Sequence, residues 1–191
     1  IDGIKVTSVA RESFRDCANI KEISIAEGVE TIGENAFLGC YNLETINFPS
    51  TIESVGTNVV KNTIWEKNEY EQYGAVIINN ILSSVQNVQS EYKLPDGIKK
   101  IASGVFYGNT QLTKIDMGSS LEEIGTYAFA GCTGITELSI PSSVKNIGYG
   151  AFSQCTNLTV SVPDTVGQIG QEASYKVKFV EYKGKLGGAY W

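Results

Sequence analysis

The most reactive side chains in the sequence are four cysteines, Cys17, Cys40, Cys132 and Cys155. A thiol can act as a nucleophile, a metal ligand or half of a disulfide. Nucleophilic chemistry usually needs a base beside it, and this chain of 191 residues has no histidine. That removes Ser-His and Cys-His arrangements and most zinc sites. The carboxylates Glu122-Glu123 and Asp116 are close in sequence, but glycoside hydrolysis needs two carboxyl groups converging across one bond. Their spacing gives no such convergence and reads as solvated charge. Asp96-Gly97 reads as a turn, and no Asp-x-Asp-x-Asp-Gly calcium loop is present. Asn157-Leu158-Thr159 is a formal glycosylation triplet, near background for a chain this long. The residues therefore point to no catalytic group, no metal site and no cofactor.

Charge narrows the partners. The chain carries a net charge of −6 and no basic cluster, which argues against nucleic acid and anionic membrane surfaces. No apolar run approaches the roughly 18 residues of a membrane-spanning helix. The chain opens on Ile1 and not on Met, which reads as a processed or excised piece.

What must position these residues is a repeat. Ile32-Gly33-Glu34-Asn35-Ala36-Phe37-Leu38-Gly39-Cys40 returns at Ile124 to Cys132 and at Ile147 to Cys155, with weaker copies at Val9 to Cys17 and Ile101 to Asn109. Phe14 to Phe37, Phe106 to Phe129 and Phe129 to Phe152 are each 23 residues apart, and Phe37 to Phe106 is 69, three periods. A fixed period of this size is the signature of a stacked array with one continuous core. Each full copy predicts a turn at Ile32-Gly33, a helical or 3₁₀ turn at Glu34 to Leu38 with Ala36 and Phe37 inward, and a left-handed Gly39. A strand then carries Ile46 and Phe48 on one face and Thr45 and Asn47 on the other. Pro49 ends the strand. Further strands are expected at Ile20 to Ile25, Leu112 to Met117, Ile135 to Ile140 and Leu158 to Val162. Val177 to Tyr182 reads as a closing strand before the glycine-rich tail, the two together spanning 176–191.

The cysteines all sit three residues after the phenylalanine. One reading is a buried thiol filling a small apolar slot in each coil. The other is a pair of disulfides, Cys17–Cys40 and Cys132–Cys155. If this side is helical, neighbouring coils should lie about 8–10 Å apart. A disulfide needs Cα atoms within about 7 Å. The spacing favours four free, buried thiols.

The pattern dissolves over residues 61–90. Thr63 to Gly74 is polar and aromatic. Ala75 to Ile78 and Ile81 to Val85 flank Asn79-Asn80, which predicts a β-hairpin. The register is kept, since Val60 to Phe106 is 46 residues, two periods. A single domain, 1–191, is expected from that unbroken register.

The repeat I-G-x-x-A-F-x-G-C-x-x-L-x-x-I-x-I-P-x-S-V resembles the BspA-like leucine-rich repeats of bacterial surface proteins. Ile140-Pro141-Ser142-Ser143-Val144 matches its tail, and the match covers about residues 6–175. Departures are Val60, Ser174 and the missing cysteines near residues 63, 86 and 109. The resemblance implies an α/β class: a right-handed leucine-rich-repeat solenoid with parallel strands on one side and short helical or 3₁₀ turns on the other. It also implies a cell-surface or secreted setting and a part in adhesion or host interaction.

Strand alternation turns one row of residues outward: Glu22, Ser24, Thr45, Asn47, Glu91, Lys93, Lys114, Asp116, Glu137 and Ser139. This row is the first candidate partner-binding surface, for a protein or glycan on a host or neighbouring cell, with the chain acting as a monomer. It has no aromatic anchor of the kind binding hot spots favour, which keeps a structural spacer as the alternative; an accessory domain of an enzyme ranks third. Trp65, Tyr70 and Tyr73 are the second candidate surface, against a simpler reading in which they cover core left open by the irregular coil. Tyr127 and Tyr149 read as half-exposed packing at equivalent positions of the helical turn.

Overall fold

A computed structural model describes residues 5–184 of the chain. The chain forms two compact units, divided between Gln86 and Asn87. Residues 185–191, most of the tail noted above, lie outside the described residues.

The first unit contains β1 (Ser8–Val9), β2 (Glu22–Ser24), β3 (Thr31–Ile32), β4 (Thr45–Asn47) and β5 (Ser54–Val55). The helix α1 (Ile64–Tyr73) and the hairpin strands β6 (Ala75–Ile78) and β7 (Ile81–Val85) follow. The parallel pairs keep a step of 23: Ile23 lies beside Ile46, and Ile32 lies between Val9 and Val55. The hairpin closes through Asn79-Asn80, with Asn79 at φ 55°, as the two-residue asparagine loop requires.

The second unit contains β8 (Glu91–Lys93), β9 (Lys100–Ile101), β10 (Lys114–Asp116), β11 (Glu123–Ile124) and β12 (Glu137–Ser139). It continues with β13 (Asn146–Ile147), β14 (Thr159–Val162), β15 (Gln168–Ile169) and β16 (Phe179–Tyr182). β9, β11, β13 and β15 form one parallel column. The step shortens along the unit. Lys114 pairs with Glu91, 23 residues away, Glu137 with Thr159, 22 away, and Thr159 with Phe179, 20 away. The closing strand is therefore real and runs parallel to its neighbour.

The turn side departs from expectation. Glu34 to Leu38 is a run of turns, not a helical turn. The backbone N–H groups of Asn35, Phe37 and Gly39 donate to the carbonyls of Thr57, Val59 and Lys61 in the next coil at 2.9, 2.8 and 2.9 Å. Those of Ala36, Leu38 and Cys40 turn back on Gly33, Asn35 and Phe37 at 3.3, 3.2 and 3.2 Å. Tyr127 to Cys132 repeats the alternation. The residues two before and two after the phenylalanine position take left-handed φ, for example Asn35 at 56° and Gly39 at 74°. A lone helical turn would leave its first four N–H groups without partners; this staircase pairs every second one with the neighbouring coil and the others within its own.

The Ile-Gly doublet is likewise not a simple turn. Thr31–Ile32 is strand β3, and the glycine marks close approach between coils. A Cβ on Gly148 would lie 2.6 Å from the backbone nitrogen of Thr126, and one on Gly125 would lie 2.7 Å from the carbonyl of Ile101.

Phe37, Phe106, Phe129 and Phe152 are fully buried. Phe129 stacks between Phe106, with centroids 4.9 Å apart, and Phe152, at 5.6 Å. Helix α1 replaces the strand of its coil. Thr63 caps it, its Oγ1 accepting from the Glu66 N–H at 2.9 Å, and a left-handed Gly74 ends it. Both are strong boundary signals.

All four cysteines are free, though not for want of closeness between coils. The Cys40, Cys132 and Cys155 thiols each donate to the carbonyl of Phe14, Phe106 and Phe129 in the preceding coil, at 3.0 Å. Burial pushes the Cys132 and Cys155 thiols up to about 12 and about 11. Cys17 corrects the expectation of four buried thiols. Phe14, Cys17, Ile20 and Ile23 are half-buried, where their counterparts Phe37, Cys40, Leu43 and Ile46 in the next coil are buried. Thiol-reactive reagents at neutral pH should therefore modify Cys17 in the native protein and the other three only after denaturation, because both access and thiolate formation are blocked. Three thiols labelled without denaturant would contradict this ladder.

Candidate binding surfaces

Each unit presents its own polar strand face. The ten outward residues are all exposed, while Ile46 and Leu138 between them are buried and Ile23 and Ile115 half-buried. In the first unit Glu22 and Ser24 lie beside Thr45 and Asn47, and the Asn47 side-chain amide donates to Ser24 Oγ at 3.1 Å. In the second unit Lys114 lies beside Glu91 and Asp116 beside Lys93, so opposite charges alternate across β8 and β10.

The strand face of the second unit is split. β10 pairs with β8 and β12 with β14, but among the described residues no backbone hydrogen bond joins β10 to β12. In β4 the equivalent residues are engaged: Thr45 N–H donates to Lys21, and the Asn47 carbonyl accepts from Ile25. Glu137 and Ser139 find no such partners on β10. A groove of about 580 Å³ lies along the split, lined by Thr113, Lys114, Asp116, Thr136, Glu137 and Ser139. The step that opens also lacks an asparagine rung. Asn42 and Asn157 reach back to the Ala18 and Thr133 carbonyls at 2.8 Å, whereas the matching residue here is Gly134. Unpaired backbone groups that stay open to water keep their hydrogen-bonding capacity for a ligand.

The second candidate surface is not a cluster of free rings. Trp65 is half-buried and packs edge-on against Phe48, with centroids 5.6 Å apart. Tyr70 donates to Ser84 Oγ at 2.8 Å, and burial raises its phenol above the ordinary range. Tyr73 is exposed. Glu122 and Glu123, weighed as paired carboxylates, meet Lys99 and Lys100 of the preceding coil at 3.0 and 2.9 Å. Among the described residues no group of three Cys, Asp or Glu could hold a metal ion, and no helix is long and apolar enough to cross a membrane.

Sequence reasoning missed one feature. Tyr127 and Tyr149 do not stand alone: Tyr107 packs edge-on against Tyr127 at 6.5 Å, and Tyr127 against Tyr149 at 5.2 Å. The signal is faint, because the three occupy different positions relative to their phenylalanines.

Parallel ladders at a 23-residue step around a column of buried leucine, isoleucine and phenylalanine define a leucine-rich-repeat solenoid. The sequence matches the model of the BspA type leucine rich repeat region in six copies, over residues 7–92 and 75–183. The chain belongs to that family. No curated protein matches it. Among solved structures, it is similar to a leucine rich cell surface protein from Faecalibacterium prausnitzii, at 20% identity and a TM-score of 0.50, covering 94% of this chain and 64% of that one. A leucine-rich repeat protein from Bacteroides ovatus matches at 22% identity and a TM-score of 0.45, covering 88% of this chain and 50% of that one. The chain thus spans less than two thirds of either structure.

Proposed function

We propose that this chain is a non-enzymatic recognition module of a cell-surface or secreted protein, engaging a protein or glycan on a host or neighbouring cell through its polar strand faces. The split between β10 and β12 carries the proposal. It sets Lys114, Asp116 and Glu137 beside open backbone donors and acceptors, which together suit an extended polar ligand. Family membership supports an interaction role, and the similar cell-surface protein supports the setting. Exposed ion pairs contribute about 0.2–1 kcal/mol each and are screened by salt. Affinity is therefore modest, and firm attachment comes from several repeats or copies acting together.

The test begins with a pull-down or glycan array using the whole chain. With the partner in hand, Glu137→Arg and Thr45→Arg should each weaken binding several-fold, leave the melting temperature unchanged and have less effect at high salt. Normal binding by both, with loss on changing Trp65 or Tyr70, would move the site to α1. The competing reading, a spacer, draws on the absence of any aromatic anchor among the ten outward residues; a chain that captures nothing would favour it.

A further inference from the structure

Four tyrosines, Tyr107, Tyr127, Tyr149 and Tyr175, follow one another along the turn side of the second unit, one per coil, with exposures of 68, 38, 36 and 49%. Two observations mark the first three as a built row. They come from different repeat positions: Tyr107 follows Phe106, Tyr127 stands two before Phe129, and Tyr149 three before Phe152. Even so, they meet in consecutive edge-to-face contacts, at 86° and 84°. The repeat alone would not assemble them.

The backbone position of the central ring is set by the repeat. Tyr127 has φ 53°, at a position that is left-handed in the other coils too, where Glu12, Asn35, Asn58, Gly104, Gly150 and Glu172 hold it. A bulky side chain in the left-handed region is unusual and persists only where its surroundings impose it. Gly150 makes room for it, since a Cβ there would clash with the Tyr127 ring. The Glu172 carboxylate beside Tyr149 holds that phenol protonated far above its ordinary range.

Exposed rings in a line take ligands that stack: bases, cations, apolar side chains or sugars. Nucleic acid needs phosphate neutralisation, and the chain carries a net charge of −6, with Lys176 already over the Tyr175 ring at 5.1 Å. Compact protein hot spots want a pocket ringed by drier contacts, whereas this is an open ridge. Sugar rings offer an apolar C–H face edged with hydroxyls, and a tyrosine offers an apolar face ending in a hydroxyl that both donates and accepts. Glu172 adds a carboxylate acceptor for a sugar hydroxyl. We propose that the tyrosine row is a second binding site, independent of the strand faces, and that it takes a neutral glycan chain several sugar units long.

The test uses the whole chain on a glycan array, with cellohexaose, xylohexaose and chitohexaose titrated by calorimetry. At least one neutral glycan should bind, and Tyr107→Ser and Tyr149→Ser should each weaken it about tenfold. Tyr107→Ser, at the most exposed ring, should keep the wild-type melting temperature, and Glu137→Arg should keep wild-type glycan affinity. Failure of the array and all three hexasaccharides to bind overturns the proposal. So does binding that survives both tyrosine substitutions, or a row that takes single-stranded oligothymidylate or a protein in place of the glycans.

Discussion

Phe129→Ala should destabilise the protein by about 3–5 kcal/mol, measured by urea unfolding, the range for deleting a large ring from a closed core. Phe129 has no exposed surface. Its ring lies between Phe106 and Phe152 at interplanar angles of 6° and 13°. The cavity cannot collapse easily, because the backbone on either side is pinned. The Phe129 N–H donates to Ala151 at 2.8 Å, and its carbonyl accepts the Cys155 thiol at 3.0 Å. Neighbouring coils would have to break ladder bonds to close the void. Tyr127→Ala, two residues away, removes a ring of similar size that is 38% exposed, and should cost far less. Equal losses for the two would mean that the phenylalanine column is not the centre of the core.

The second large effect is expected from one methyl group. Gly148→Ala places a Cβ 2.6 Å from Thr126 N and 2.7 Å from Gly125 C. The obstacle is backbone, and the Gly148 N–H is itself bonded to the Ile124 carbonyl at 2.8 Å. Neither side can swing away as a side chain would. Overpacking costs about 1–3 kcal/mol, and this substitution should fall at the upper end. Gly167→Ala is the control. Its nearest neighbour to a new Cβ is the Lys145 carbonyl at 3.9 Å, and its φ is not positive. Removing glycine freedom from the unfolded chain there should be neutral or stabilise by about 0.4–1 kcal/mol. If the two substitutions melt alike, close approach is not why glycine follows isoleucine at Gly33, Gly125, Gly148 and Gly170.

Several boundary signals were present in the residues without being enough. Thr63, Glu66 and Gly74 are the caps of α1, yet the segment lacks the apolar stripe by which a helix is usually recognised. None of its residues is buried, so helicity there comes from its ends and not from a packed face. Asn79-Asn80 was decisive by comparison, because apolar β-prone runs flank it and the turn itself needs a residue that tolerates positive φ.

The repeat determined the step of 23 through most of the chain, the inward phenylalanine and cysteine positions and, with strand alternation, the outward residues, and its motif carried the resemblance to the family. Those properties recur at fixed intervals because each coil buries the same positions against the next. The tertiary structure decided what depends on the relation between coils. The staircase at Asn35 to Cys40 arises because N–H groups that a helix would leave unpaired find carbonyls one coil away. Gly33, Gly125, Gly148 and Gly170 report distance to the neighbouring backbone, which no local φ preference encodes. The split beside Glu137 opens between two coils that keep the repeat's register in sequence, and the tyrosine row forms from side chains at unlike repeat positions. Such features rest on contacts between residues some 20 positions apart that do not themselves repeat, so a periodic pattern leaves them unmarked.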